Sequence, residues 1–278
     1  MRFALAASLC AAAVVSGCAE YGSAGESATE KSPGTPSSGM QSEGALPQGS
    51  EEVPLDPATF TTKITNEYWP MAPGTRWVYR EIDEEGETSR VVVTVTGVTR
   101  EIANGVTARV VRDTVSLDGE VVEDTFDWYA QDDHGNVWYL GEDTAEFEDG
   151  ELATREGSFE AGVDGALAGI AMPGSPADGM AYRQEYYEGE AEDNGEVLST
   201  EEMAEVPAGH YDGVLLTKDT IALEPDVLEY KLYAPGVGPV LVYGVSGGAG
   251  REELLSVTQV SAADAERAGT TPLGQPYL

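Results

Sequence analysis

The chain has 278 residues and is strongly acidic, with 50 aspartate and glutamate residues against 15 lysines and arginines and a formal net charge of −35. This balance excludes nucleic acid as a partner, because phosphate recognition requires basic patches, and it repels an anionic lipid surface. It favours cations, basic proteins or positively charged glycans, although solubility alone accounts for acids that are scattered through every segment.

The first 17 residues are typical of a secretory signal peptide. One early cation, Arg2, precedes an apolar run over residues 3–15, which is shorter than the roughly 20 apolar residues that span a bilayer. The run ends in Val15-Ser16-Gly17-Cys18, which resembles the lipobox of bacterial lipoprotein precursors. The resemblance implies cleavage before Cys18 and lipidation of its thiol. The alternative is an ordinary secretory signal that happens to contain a cysteine.

Export and anchoring follow from this interpretation. The other cysteine, Cys10, lies inside the signal, so the mature chain has no disulfide and its core must stabilise it. Two or more acyl chains attach a protein stably to a membrane. We expect an extracytoplasmic protein that is lipid-anchored to the bacterial cell membrane or the outer membrane. Ala19 does not resemble the aspartate of the inner-membrane retention signal, which favours the outer membrane.

Composition divides the rest of the chain into three parts. Residues 18–55 combine Cys18 with a stretch rich in Gly, Ser and Pro, which predicts a disordered tether. Residues 56–260 are long enough for one domain with a substantial core. The polar composition of residues 261–278 predicts a frayed tail. Removal of the signal also removes Arg2, which leaves 14 basic residues and a net charge of −36.

The domain is predicted to be all-β, because short runs of β-branched and aromatic residues recur between turn signals such as Asn104-Gly105 and Asp118-Gly119. Residues 56–63 are a candidate short helix, and residues 162–179 predict a long irregular loop. A single antiparallel meander is expected, in the form of a twisted sheet, a half-barrel or a barrel. The predicted strands include residues 75–82, 91–95, 121–130, 137–140, 181–188, 214–223, 227–233, 240–245 and 252–260.

Several phrases in the domain resemble a family of uncharacterised exported bacterial proteins, many of which are lipoproteins. The phrases are ITNEYWP at 64–70, PGTRWVY at 73–79, DWYAQD at 127–132, GNVWYLGE at 135–142 and YAPGVG at 233–238. The resemblance covers about residues 56–260 and implies export and a β-rich fold. It implies no activity and no site residues.

Motifs for hydrolysis and metal binding are weak. Ser246 stands in a G-x-S-x-G pattern, but the triad histidine of such enzymes follows the serine, and both histidines, His134 and His210, precede it. With two histidines and no free thiol, a zinc or copper site would have to rest on carboxylates. No catalytic, cofactor or metal residue is therefore assigned, and no cofactor is predicted. An acid pair of the glycosidase type cannot be selected among so many carboxylates.

Calcium has two candidate positions. Residues 190–201 place acidic and amide side chains at the spacing of an EF-hand loop, although the flanks resemble strands rather than helices. The turn that contains Asp132, Asp133 and Asn136 is the second candidate, with simple turn formation as the alternative.

Aromatic pairs provide the last pattern. In Trp128-Tyr129 and Trp138-Tyr139 one ring of each pair faces the core, and the other either lines a ligand groove or packs under a loop. The leading hypothesis is a non-enzymatic, membrane-tethered binding module for an apolar molecule or an envelope component. A calcium-dependent structural or adhesive surface protein and an acid-pair hydrolase of envelope polymers are the alternatives. The oligomeric state is left open.

Overall fold

A computed structural model describes residues 46–247 and 250–277. The predicted signal peptide, Cys18 and residues 18–45 of the predicted tether therefore lie outside the described residues. Among the residues described, no helix has the length and apolarity needed to cross a membrane.

Within residues 46–247 and 250–277 the chain forms fifteen strands, a 3₁₀ turn at Pro57–Thr59 and one α-helix, α1, at Ala262–Thr270. The first eight strands are β1 Thr75–Ile82, β2 Thr88–Glu101, β3 Thr107–Leu117, β4 Glu120–Gln131, β5 Val137–Glu148, β6 Glu151–Thr154, β7 Phe159–Glu160 and β8 Leu167–Met172. The remaining strands are β9 Ala181–Arg183, β10 Glu185–Tyr186, β11 Asp193–Val206, β12 Gly209–Ile221, β13 Leu228–Ala234, β14 Gly238–Ser246 and β15 Arg251–Gln259.

The strands form one antiparallel sheet that rolls into a nearly closed barrel. The all-β prediction is confirmed, and of the architectures left open the structure has the barrel. The order of the sheet is β10-β8-β5-β4-β3-β2-β1-β15-β14-β13-β12-β11-β9, with β6 and β7 added to β5. Most neighbours are joined by hairpins. The long-range pairing of β1 with β15 joins the two halves of the chain, from Thr75 opposite Gln259 to Ile82 opposite Arg251.

The two ends of this order meet on one short segment, residues 181–186. Its first half, β9, pairs with β11, and its second half, β10, pairs with β8. Arg183 stabilises this junction, because its Nη2 donates a hydrogen bond to the carbonyl oxygen of Ala168 at 2.7 Å. Gly169 permits the close approach, because a Cβ there would lie 2.1 Å from the carbonyl oxygen of Gln184. One segment therefore links the two ends of the nearly closed sheet.

The segment predicted as a long irregular loop, residues 162–179, contains β8. The prediction was wrong because β8 is buried on both faces and so lacks the alternation that marks a half-exposed strand. The candidate helix at residues 56–63 is reduced to the single 3₁₀ turn, which Asp56 caps by accepting a hydrogen bond from the Ala58 amide.

Both segments that flank the predicted domain are ordered where the structure describes them. The predicted polar tail forms α1, capped by Ser261, and Ala265 and Ala268 are buried on the outer face of the barrel beside β2. Its end returns to the wall at Tyr277, which is 3% exposed. At the other end, residues 46–55 belong to the predicted tether but pack on the barrel, where the Arg183 amide donates to the Pro47 carbonyl at 2.7 Å.

Candidate functional site

Aromatic rings fill one end of the barrel. Trp69, from the segment that precedes β1, lies with its ring centroid 5.6 Å from that of Tyr129 and 5.7 Å from that of Tyr233. Tyr129 in turn lies 5.1 Å from Tyr139. All four side chains are buried. This aromatic plug closes the lumen at the end where the N-terminal segment crosses it.

Asn66 holds the plug in place. Its Oδ1 accepts hydrogen bonds from the amides of Tyr68 and Trp69 at 2.9 and 3.1 Å. Its Nδ2 donates to the carbonyl oxygens of Gly135 and Pro173 at 3.1 and 2.9 Å. A 5% exposed amide therefore satisfies four backbone groups from three parts of the chain.

The phrases that carry the family resemblance meet at this plug. The Gly236 amide donates to the Glu67 carbonyl at 2.7 Å, which joins the first phrase to the last. Gly238 has φ +108°, and a Cβ there would lie 3.3 Å from Cδ1 of Trp69 and 3.5 Å from Nε1 of Trp77. What the phrases have in common is therefore a position in the fold.

Carboxyl groups line the interior below the plug. Within the described part of the barrel, ten of them project from nine strands, and Lys231 is the cation among them. Its Nζ lies 3.0 Å from Asp219 Oδ2 and 3.8 Å from Glu229 Oε2. The members of this luminal acid cluster are Glu81, Asp113, Glu123, Asp127, Glu142, Glu185, Asp193, Asp219, Glu229 and Glu252.

Burial raises the pKa of several of these groups. Burial and the neighbouring Asp113 raise the pKa of Asp127 to about 8, against the opposing effect of the Tyr139 hydroxyl, which donates to Asp127 Oδ1 at 3.0 Å. Burial raises the pKa of Asp193 to about 7. Burial also raises the pKa of Glu252 well above its ordinary value, and neither of its carboxylate oxygens has a hydrogen-bond partner among the described residues. These carboxyl groups are therefore protonated at mildly acidic pH.

The interior around this cluster is filled. A cavity among Trp69, Trp77 and Asp127 has a volume of about 10 Å³, and a second one, among Glu185, Lys231 and other residues, has about 20 Å³. Each is of the size that holds one water molecule. Neither of these two cavities has room for an apolar ligand, and the ligand hypothesis stays a prediction. A sugar ring does not fit beside these carboxyl groups either.

A groove of about 600 Å³ lies on the outside of the barrel. A row of cross-strand neighbours lines it, with Arg80 on β1 opposite Arg90 on β2, and Arg90 opposite Ser116 on β3. The C-terminal tail borders the groove at residues 275–277, and Leu255 of β15 adds apolar surface. Its volume is of the size of small-molecule sites.

The tail is held beside the groove by a buried ion pair. Arg112 Nε donates to Asp124 Oδ1 at 2.9 Å, and Arg112 Nη2 donates to Asp124 Oδ2. Arg112 Nη1 also donates to the carbonyl oxygens of Ala268 and Thr271 at 3.0 and 2.9 Å. Both side chains of the pair are at most 1% exposed. The tail therefore forms part of the domain and shapes the groove.

The two histidines and Ser246 are not brought together by the fold. His134 and His210 are exposed at turns, each near a single aspartate, Asp133 at 3.5 Å and Asp212 at 3.3 Å. The hydroxyl of Ser246 donates to the Asp226 carbonyl at 2.7 Å at the end of β14. The next described element after this serine is β15, which pairs with β14, rather than a helix.

Neither calcium candidate has the predicted geometry. Most of residues 190–201 belong to β11, so their side chains alternate across a strand instead of converging on a loop. In the turn, the Asp132 carboxylate accepts from the amides of His134 and Asn136, from Asn136 Nδ2 and from Trp138 Nε1. Turn formation explains this aspartate. Among the residues described, no group of three or more His, Cys, Asp or Glu has the geometry of a metal site.

The aromatic pairs divide between the two faces as predicted. Tyr129 and Tyr139 lie in the plug, whereas Trp128 and Trp138 lie on the outside. Arg100 stacks over Trp128 at 3.9 Å from its centroid, and Phe60 meets Trp138 edge-on at 6.1 Å. The packing interpretation of the outer rings is therefore correct, since other side chains cover them.

Sequence reasoning missed both the luminal acid cluster and the groove. The signal for the cluster was present in β4, whose two faces are equally mixed, with Glu123, Thr125 and Asp127 on one and Asp124 and Phe126 on the other. In this barrel the face with Glu123, Thr125 and Asp127 is the interior one. No local pattern in the sequence indicates the groove, because its lining comes from five strands, the turn between β3 and β4, and the tail.

Comparison with known proteins assigns no family. No family model matches the chain, and no curated protein matches it. Among solved structures, the "putative lipoprotein from Parabacteroides distasonis" is 12% identical, with a TM-score of 0.38, and covers 69% of this chain and 99% of its own. A β-barrel-like protein with a domain of unknown function from Brucella abortus is 13% identical, with a TM-score of 0.31, and covers 67% and 98%. At such TM-scores neither likeness assigns a function to this chain.

Proposed function

We propose that the chain is an exported lipoprotein, anchored through Cys18, whose barrel is a non-enzymatic binding module with its ligand site in the outer groove. The anchor rests on the signal-like residues 1–17 and the lipobox-like Val15-Ser16-Gly17-Cys18. The absence of a thiol after Cys18 fits a domain that is stabilised by its core.

One observation carries the choice of site. The groove has a volume of about 600 Å³, whereas the two interior cavities have about 10 and 20 Å³. A ligand of ordinary size needs several hundred Å³. A second surface cavity, beside Pro70 and Val257, is smaller at about 340 Å³. We therefore assign binding to the larger groove, on the outer face of β1, β2 and β3 beside the tail.

Native mass spectrometry tests the site. The chain from residue 18, carrying Cys18→Ser and exported behind a cleavable secretory signal, is purified gently from the soluble extracytoplasmic fraction. It is compared with a Ser116→Trp variant that fills the groove. The matched control is Thr99→Trp, which adds the same ring at an exposed position of β2. A copurified mass on the parent and on the control, absent from Ser116→Trp, supports the groove. A mass that survives Ser116→Trp overturns it.

Fractionation tests the anchor separately. The full-length precursor is expected in the membrane fraction, labelled by a fatty-acid analogue, and a full-length Cys18→Ala variant is expected to lose both the label and the membrane association. Retention of the label by Cys18→Ala would contradict lipidation at this residue and leave the groove hypothesis untouched.

A further inference from the structure

We infer that the outer groove takes a small solute that carries a phosphate or carboxylate group, bound between Arg80 and Arg90. This inference rests on the proposed function and names the chemistry of the ligand at that site. The observation behind it is the placement of two arginines directly opposite each other on adjacent strands of a chain with far more acids than bases.

Like charges that are directly opposite across two strands destabilise a sheet, because the Cβ atoms of such neighbours lie only about 4.5–5.5 Å apart. The acids of this chain are numerous enough to pair with every base, yet no carboxylate of the described residues lies within ion-pair distance of Arg90. An anion that binds between the two guanidinium groups would remove the repulsion.

The charges around the row support this assignment. Arg80 Nη2 lies 2.7 Å from Glu253 Oε2, and Arg251 Nη2 lies 2.6 Å from Glu253 Oε1, so a single carboxylate is shared by two arginines. Arg76 lies four residues before Arg80 on β1, and its Nε donates to Thr94 Oγ1 at 3.0 Å. Burial lowers the pKa of Arg76; the nearby Tyr277 and Asp264 oppose this shift, whereas Arg90 and Arg267 add to it. The aspartate, glutamate, lysine and arginine side chains that line the groove are Arg80, Arg90 and Asp118, so cations outnumber acids there although the whole chain is strongly negative.

The groove also offers neutral donors and an apolar rim. Ser116 contributes a hydroxyl group, and Leu255 and Pro276 contribute apolar surface. The planar fork of an arginine matches the oxygens of a carboxylate or a phosphate, and such charge-assisted hydrogen bonds are the strong ones. The expected ligand is therefore a compact anion with a hydroxylated or apolar body. Extended polyanions are disfavoured, since the net charge of −36 after removal of Arg2 repels them.

Titration calorimetry with glycerol phosphate and with a small hydroxy acid tests the inference on the mature chain with Cys18→Ser. We expect saturable binding that weakens with salt and that Arg90→Gln reduces by about tenfold to a hundredfold, the loss of one charge-assisted contact. The control is Arg155→Gln, which removes an exposed arginine whose partner is Asp143. Equal binding by both variants, or no binding of either solute, would overturn the inference.

Two further arms separate the possible sources and the two hypotheses. If the chain cosediments with phosphatidylglycerol vesicles but binds neither solute, the anion is a lipid headgroup. That result would overturn the assignment to a soluble molecule. A copurified ligand that Ser116→Trp displaces but Arg90→Gln retains would leave the groove in place as the binding site and would overturn its preference for an anion.

Discussion

Glu81 and Glu252 are direct cross-strand neighbours on β1 and β15, and both side chains are buried inside the barrel at 8% and 4% exposure. Two ionised carboxylates at this spacing would repel each other strongly in a medium of low dielectric constant. Burial and the neighbouring Glu81 raise the pKa of Glu252 well above its ordinary value. Burial of this pair at the seam between β1 and β15 therefore favours retention of the proton on Glu252.

We expect the stability of the domain to fall as the pH rises. In the unfolded chain aspartate and glutamate titrate near pH 4. In the barrel, the pKa of Asp193 is raised to about 7 and that of Asp127 to about 8, mainly by burial. Between pH 4 and 8 the folded state binds more protons than the unfolded state, so the free energy of unfolding decreases with pH across this window. Urea denaturation from pH 4 to 9 measures the slope. A stability maximum above pH 7 would contradict the protonated cluster.

Replacing Glu252 with glutamine removes one ionisation without changing the shape of the side chain. We expect Glu252→Gln to reduce the slope of the free energy of unfolding against pH by about 1.4 kcal/mol per pH unit, the contribution of one proton. The reason is that glutamine cannot ionise. The variant should therefore be more stable than the parent at pH 9. Glu202→Gln, at an exposed position of β11, is the matched control and should leave the slope unchanged. Parallel curves for Glu252→Gln and the parent would show that Glu252 does not titrate in this range.

The ion pair beneath the C-terminal tail should be costly to break. Asp124→Asn leaves the Arg112 guanidinium buried without its charge partner, which typically destabilises a protein by about 3–5 kcal/mol. The exposed pair between Arg155 and Asp143 offers a contrast, and Asp143→Asn should cost less than about 1 kcal/mol. Thermal or urea denaturation at pH 5 measures both. Similar losses for the two variants would mean that the tail does not shield Arg112 in solution.

We expect the aromatic plug to be essential for the stability of the folded domain and not to open to ligands. Trp69→Ala removes a side chain that is 4% exposed and packs against Tyr129 and Tyr233, and a loss of about 3–5 kcal/mol is expected. Indole should bind the resulting cavity and raise the melting temperature of the variant, while leaving that of the parent unchanged. A parent that is itself stabilised by indole would show that the filled end opens to ligands.

Local chemistry made the strands and turns predictable. At Asp118-Gly119 both residues have positive φ, 52° and 89°, as a two-residue hairpin turn requires, and β3 and β4 flank them. Such signals depend on neighbouring residues alone. The prediction was wrong at β8, whose small residues show no alternation, and at the tail, where a short capped helix has its stability from packing on the barrel rather than from its own propensity.

The amino-acid sequence by itself determined the all-β class, the hairpin positions and the split of each Trp-Tyr pair between the two faces, because each depends on residues close together along the chain. The pairing of β1 with β15, the junction at residues 181–186, the burial of acids such as Glu252, and the row from Arg80 to Ser116 were decided by the tertiary structure. These features join residues far apart in sequence. The closure of the sheet, and not the polarity of a side chain, determines which face of a strand is removed from water.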